Sequence, residues 1–291
     1  MKAYLSACFA ALLLAALTAC GGPSQGGSPA SPSPAASGDD SFRWMNSTIA
    51  GLSDKGMEAT ELVIPASATE VVLDLTGNTT LQRLSFESDE TVVRSLVLED
   101  CTALEEVAFP ASLEEIGDCS GCTALTRVTI PEGVVRIASS AFSGCTALES
   151  VALPDSVVEI GSFAFSDCTA LKSVTLSAGL TQISDEAFYQ CAALTQVVIP
   201  EGVTRIGVSA FDGCAALGSV SLPASLQTIE EAAFLSCTAL TDVTIPEGVT
   251  YIAPTAFMKD EGDPVSFSVK GGSWADTNAG TYQVLGTVTT Y

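Results

Sequence analysis

The chain has no histidine, and only 11 Lys and Arg stand against 34 Asp and Glu. The first absence removes Ser-His-Asp and Cys-His catalysis and every imidazole metal ligand. The second argues against nucleic acid, because phosphate contacts need clustered Lys and Arg. It argues equally against docking on anionic lipid through a basic patch. A net charge of −23 suits a soluble, exposed envelope protein. Aromatic residues are only 7% of the chain, so large anchors for a binding hot spot are scarce. No cofactor is expected, no nucleophile–base pair is visible, and an enzyme is the weakest of the readings.

Long apolar runs are lacking too. The run from Ala7 to Leu17 is shorter than the ~20 residues of a membrane-spanning helix and fits a secretory core. It ends in Leu17-Thr18-Ala19-Cys20-Gly21, which resembles a bacterial lipobox. That resemblance implies cleavage before Cys20, a lipid on its sulfur and an anchor in a bacterial envelope membrane. The alternative is an ordinary signal peptide with a chance cysteine. Residues 1–19 are thus expected as a lipoprotein signal peptide. Residues 20–41, rich in Gly, Ser and Pro without apolar periodicity, are expected as a disordered tether. Phe42, Trp44, Met45, Ile49 and Leu52 open the folded part and suit an amphipathic cap.

The rest of the chain is organised by a repeat. Cys101, Cys122, Cys145, Cys168, Cys191, Cys214 and Cys237 follow one another at steps of 23, except the first, which is 21. From each Cys the frame runs Cys-x-x-Leu-x-x-Val-x-(Ile/Leu)-Pro…Ile-x-x-x-Ala-Phe, with Ser177 in place of one proline. A period of this size marks a solenoid, whose units bury their apolar faces only against one another. Within a unit, Val128 and Ile130 alternate with Thr129 as in a strand with one buried face. Pro131 ends that strand, a second short extended segment carries Val134 and Ile137, and Ala138 to Phe142 suits one helical turn. Like residues then stack in rows: Phe142 to Phe257 in one, Ile116 to Ile252 in another. Earlier, Asn78 takes the Cys slot, and the frame between Phe86 and Leu96 is irregular.

This frame resembles the BspA-like class of bacterial leucine-rich repeats over about residues 61–258. The resemblance implies a right-handed, β-rich leucine-rich repeat solenoid with one short helical turn per coil, capped at both ends. Some members of that class act as surface adhesins, so adhesion is what the resemblance implies for function. The expected divisions are 42–100 for the N-terminal cap and divergent repeats, 101–258 for the regular repeats and 259–291 for the C-terminal cap. In that last segment the Cys slot falls on Asp260, Val265, Phe267 and Val269 give a further strand, and Trp274, Tyr282, Val284 and Leu285 cover the last coil.

Four constellations are candidates for chemistry. Cys119-Ser-Gly-Cys122 is a redox or half-metal motif on one reading, and on the other a small core filler where other coils carry Ala-Phe. The Cys row permits vertical disulfides by spacing, but parallel Cβ vectors favour free thiols. Glu132, Asp155, Glu201 and Glu247 invite a calcium reading, interrupted by Ala178 and Ala224, with a solvated edge as the alternative. The outward strand positions are the candidate binding face. They are Arg127, Thr129, Ser150, Ala152, Ser173, Thr175, Gln196, Val198, Ser219, Ser221, Asp242 and Thr244. Their small, mostly uncharged side chains suit extended contact with a protein or glycan, or else reflect only what a tight sheet tolerates. The expectation is a monomeric, lipid-anchored surface binding protein; the alternative is an envelope spacer without a specific ligand.

Overall fold

The computed structural model describes residues 40–259, 264–282 and 286–291. The expected signal peptide, Cys20 and the tether lie outside these, as do Asp260, Val284 and Leu285. The described chain is a β-solenoid with parallel ladders on two sides and turns on a third.

On the first side, β3 (Glu61–Ile64), β5 (Arg83–Phe86), β7 (Glu106–Ala108) and β9 (Arg127–Thr129) form one ladder. A second ladder is β11 (Ser150–Ala152), β13 (Ser173–Thr175), β15 (Gln196–Val198) and β17 (Ser219–Ser221). A third is β19 (Asp242–Ile245), β21 (Ser266–Val269) and β22 (Val288–Thr290). The strands of the regular coils are short because the frame leaves only five residues between the Leu that turns in, such as Leu125, and the Pro that cannot donate to a ladder, such as Pro131.

The other side begins with β1 (Phe42–Met45), β2 (Thr48–Leu52), β4 (Glu70–Asp74) and β6 (Val92–Val97). Two further ladders follow there: β8 (Glu115–Ile116), β10 (Arg136–Ile137) and β12 (Glu159–Ile160), then β14 (Gln182–Ile183), β16 (Arg205–Ile206), β18 (Thr228–Ile229) and β20 (Tyr251–Ile252).

The third side departs from expectation. Ala138 to Phe142 is not a helical turn but a run of tight turns, and the same holds in the other regular coils. The reason lies in two left-handed positions per coil. One row is Ser140, Phe163, Glu186, Ser209 and Ala232, at φ between 50° and 61°. The other precedes the cysteine and includes Gly144, Asp167, Gln190, Gly213 and Ser236. A left-handed residue breaks a right-handed helix and strains any side chain but glycine. Alternate N–H groups therefore leave the coil: Phe142 donates to Ala164 O at 2.8 Å, while Cys145 donates to its own coil's Phe142 O at 3.2 Å. Inter-coil hydrogen bonds over-determine the strained residues, which fixes the side chains between them.

The core is the expected set of rows. Phe142, Phe165, Phe188, Phe211, Phe234 and Phe257 stack with near-parallel rings, 5.0–5.4 Å between centroids. The Leu, Ile, Ala and Cys rows beside them are buried throughout. Each row cysteine is a free thiol donating to a carbonyl of the preceding coil, as Cys168 Sγ does to Phe142 O at 3.2 Å. Asn78 fills the same slot in the opposite sense, its Oδ1 accepting from the N–H of Leu81 at 2.8 Å and of Thr80 at 3.0 Å. Ser177, standing for proline, accepts from Gly179 N at 3.0 Å and so holds the corner by a hydrogen bond instead of a ring.

Both ends are covered. The β1–β2 hairpin is antiparallel and buries Phe42, Ile49 and Leu52, whereas Met45, expected in the cap's apolar face, points to solvent. After it, Ser53 caps α1 (Asp54–Met57) by accepting from Gly56 N. At the far end, α2 (Trp274–Thr277) and α3 (Ala279–Tyr282) bring Tyr282 edge-on to Phe267 at 5.3 Å, and Phe267 edge-on to Phe257 at 5.1 Å. The aromatic column therefore ends in two T-shaped contacts that close it off from water.

Candidate binding face

The alternation of inward Val and outward polar residues on three-residue strands places all twelve sequence-selected side chains outward on the first side. The structure does not unite them in one ladder. Ser150, Ala152, Ser173, Thr175, Gln196, Val198, Ser219 and Ser221 share the β11–β17 ladder. Arg127 and Thr129 end the ladder before it, and Asp242 and Thr244 begin the one after it. In the central ladder Ser150 lies over Ser173, Ser173 over Gln196 and Gln196 over Ser219. Val198, 67% exposed, is the largest apolar group among them.

Charge separates this ladder from the one before it. In β3–β9 each base stands on the acid of the preceding coil: Arg83 on Glu61 at 3.0 Å and Arg127 on Glu106 at 3.3 Å. The Arg83 hydrogen bond holds Glu61 below the usual carboxylate range. The β11–β17 outward positions carry no charge, and the Lys172–Glu149 pair at 3.0 Å sits at their margin. Such exposed pairs set the register of neighbouring coils more than they stabilise them.

The hydroxyls differ in the same way. Beside the strands and on the second side several are used by the fold: Thr146 donates to Thr123 O, Thr195 to Lys172 O, Thr204 to Thr181 O and Thr250 to Gln227 O, whereas Ser156 Oγ, on a turn, is buried without a partner. On the central ladder, Ser150, Ser173, Thr175, Ser219 and Ser221 are exposed, and their side chains have no partner among the described residues. Five hydroxyls and an amide therefore face outward with their hydrogen-bonding capacity unspent among the described residues, beside the apolar Ala152 and Val198.

The other candidates resolve into structure. Cys119 and Cys122 are both buried; burial pushes the Cys119 thiol well up, and its carbonyl accepts from Cys145 Sγ at 3.3 Å. Inert, inaccessible thiols do not make a redox pair. The post-proline acids are not only a solvated edge. Asp155 accepts from Ala178 N at 3.4 Å and Glu201 from Ala224 N at 3.2 Å, so where the next coil has alanine the acid below ties its backbone. Among the described residues no group of three or more Cys, Asp and Glu is placed to hold a metal ion. The sequence gives little sign of this backbone role, because an acid that ties a corner and an acid that ligates a cation look alike in the repeat frame.

The model of the BspA type leucine-rich repeat region matches in six copies over residues 55–149 and 136–262, well over half the chain. The chain belongs to this family. A leucine-rich repeat protein from Bacteroides ovatus is 22% identical, with a TM-score of 0.64 over 80% of this chain and 63% of that one. Another from Eubacterium ventriosum is 26% identical, with a TM-score of 0.55 over 70% of this chain and 60% of its own. A leucine rich cell surface protein from Faecalibacterium prausnitzii aligns over 84% of both chains at 22% identity, with a TM-score of 0.42. The chain thus spans about three fifths of the first two proteins' lengths. No curated protein matches.

Proposed function

We propose that this BspA-type protein is a non-catalytic binding protein of the bacterial cell surface, lipid-anchored through Cys20. In this reading it contacts a protein or glycan through the β11–β17 ladder. The observation that carries it is the concentration of free hydroxyls: several threonines elsewhere donate to the preceding coil, whereas all five outward hydroxyls of the central ladder are exposed and unbonded among the described residues. Partners rich in hydroxyls and amides match such a strip, since each contact exchanges a water hydrogen bond for a protein one at little net cost. The scarcity of aromatics there predicts a modest affinity spread over several coils, without one dominant anchor.

The test begins with the full chain on immobilised glycan and extracellular-matrix panels, followed by two double variants on any hit. Thr175→Lys with Ser221→Lys places two ammonium groups at the centre of the contact; leaving them unpaired costs several kcal/mol and abolishes binding. Thr181→Lys with Gln227→Lys, exposed on the second side, leaves binding intact. Binding that survives the first pair, or is lost with the second, ends the strand-face reading. The anchor is tested separately: Cys20→Ala abolishes radiolabelled palmitate incorporation and leaves a longer precursor. Undiminished labelling ends the lipoprotein reading.

A further inference from the structure

The ladders of the second side are interrupted between β6 and β8 and between β12 and β14, and only the first break lacks a bond from the residue after the isoleucine. In five regular coils the residue after the row isoleucine donates its N–H to the isoleucine carbonyl of the preceding coil. Ala138 does so to Ile116 at 3.0 Å, Gly161 to Ile137 at 2.8 Å and Gly207 to Ile183 at 2.9 Å; Glu230 and Ala253 repeat it. In the remaining coil Ser184 reaches Ile160 O through its hydroxyl. Gly117, in the equivalent place and without a side chain, makes no such bond among the described residues, and β6 and β8 belong to different ladders. The mismatch that causes this is local. β6 is six residues long and pairs with β4 through an irregular register, whereas β8 has two residues and lies in the coil shortened by two. The coils still meet at both corners, by Ser112 N to Asp89 O at 3.0 Å and Leu98 N to Asp118 O at 2.9 Å.

Between those corners a cleft of about 610 Å³ opens to the surface, within the range of ligand sites. β6 forms one wall; Leu113, Glu114, Glu115 and Gly117 form the other, with Phe109 at its base. One guanidinium, Arg94, faces three carboxylates, Glu114, Glu115 and Asp118, in the lining. Arg94 is already held by Glu70 at 2.9 Å and Glu115 by Arg136 at 2.6 Å, while Asp118 accepts from Ser120 N at 2.9 Å. The Glu114 carboxylate has no ion pair or hydrogen bond among the described residues.

We propose that this cleft binds an extended peptide segment of a partner protein, with apolar side chains facing Phe109 and Leu113 and a Lys or Arg reaching Glu114. The closed corners leave no room for an inserted strand, but β6 and β8 face one another unpaired across the cleft, which calls for a peptide laid over its mouth, because a peptide backbone supplies donors and acceptors together. The excess of carboxylates selects a basic segment over an acidic one. This site lies on the side away from the β11–β17 ladder and stands independently of that ladder's role.

The experiment titrates the full chain into fluorescein-labelled (Val-Lys)3-amide and follows anisotropy. The (Val-Glu)3-amide and a (Val-Lys)3-amide N-methylated at each valine serve as controls. The Val-Lys peptide binds; N-methylation, which removes backbone donors, weakens it about tenfold or more, and the Val-Glu peptide does not bind. Gly117→Leu adds bulk at the cleft wall, where a Cβ meets only Leu96 O at 3.8 Å, and it abolishes binding. Glu114→Lys, on the exposed rim, also weakens binding about tenfold or more and carries the test if Gly117→Leu fails to fold by circular dichroism. Thr175→Lys with Ser221→Lys leaves peptide binding unchanged, which separates this site from the strand face. No binding of the Val-Lys peptide, or binding that survives N-methylation, Gly117→Leu or Glu114→Lys, overturns the proposal; the last two patterns mark general attraction of a cation to an acidic protein.

Discussion

The divergent coils before Cys101 and the regular coils after Phe142 use the same backbone path but hold it by different means. In the regular part every coil repeats one thiol, one isoleucine and one phenylalanine. The bonds of the thiol and of the residue after the isoleucine to the preceding coil repeat with them, although the strand ladders also break between β9 and β11, β12 and β14, and β17 and β19. In the divergent part Asn78 accepts where cysteines donate, β4 and β6 pair out of step, and the phenylalanine column is missing. The junction is where a six-residue strand meets a two-residue one, and there the ladder opens. At this junction departure from the repeat leaves room between two coils.

The largest effect that sharpens this contrast is in the phenylalanine column. Phe188→Ala removes a ring with stacked neighbours on both sides and costs about 3–5 kcal/mol. Phe257→Ala, at the end of the column and partly relieved by the cap, costs less. Equal losses in urea melts would contradict a column whose strength comes from its copies.

Next comes the divergent slot. Asn78→Ala leaves the buried Leu81 without the acceptor for its N–H and costs about 1–3 kcal/mol. Asn78→Cys does not rescue it, because a thiol in this slot donates. Full rescue by cysteine would show that the two slots are equivalent after all.

The thiol row gives a smaller effect per group, and one confined to alkaline pH. Burial pushes the Cys168 and Cys237 thiols up to about 12 from an ordinary 9.0. Below pH 9 both folded and unfolded thiols are protonated, and their contribution is fully present. As pH rises from 9 toward 12 the unfolded thiols ionise first, so the unfolded state binds fewer protons and stability falls. Each such thiol removes about 1.4 kcal/mol per pH unit. Urea midpoints at pH 8 and pH 10 measure it, and thiol reagents at pH 8 label the row only after unfolding. A midpoint that rises with pH over this range, or rapid labelling of the native protein, would contradict buried thiols.

Much of this architecture is legible in the residues alone. The rows at a step of 23 give the solenoid, the inward Val and Ile residues give the strands, and the same alternation selects the outward hydroxyls. The third side is not legible, because Ala-Phe spacing fits a helical turn and a chain of tight turns equally well. The left-handed residues give no warning when they are Phe163 or Glu186, residue types that rarely adopt that conformation. The cleft is hidden for a related reason: residues 87–95 carry no readable frame, and the shortened coil shows only that something differs there. The free state of Ser173 and Thr175 is not readable either, since whether a hydroxyl meets a carbonyl depends on its height in the stack.

Native-state hydrogen exchange tests the contrast between the two regions most directly. The amides of Ala138, Gly161, Gly207 and Ala253, each bonded to the coil before, should exchange only with the opening of the stack. The Gly117 amide, equivalent in sequence frame but without that bond, should exchange orders of magnitude faster under the same conditions. If Gly117 is as protected as its four counterparts, the ladder is continuous through the junction and the solenoid has no seam.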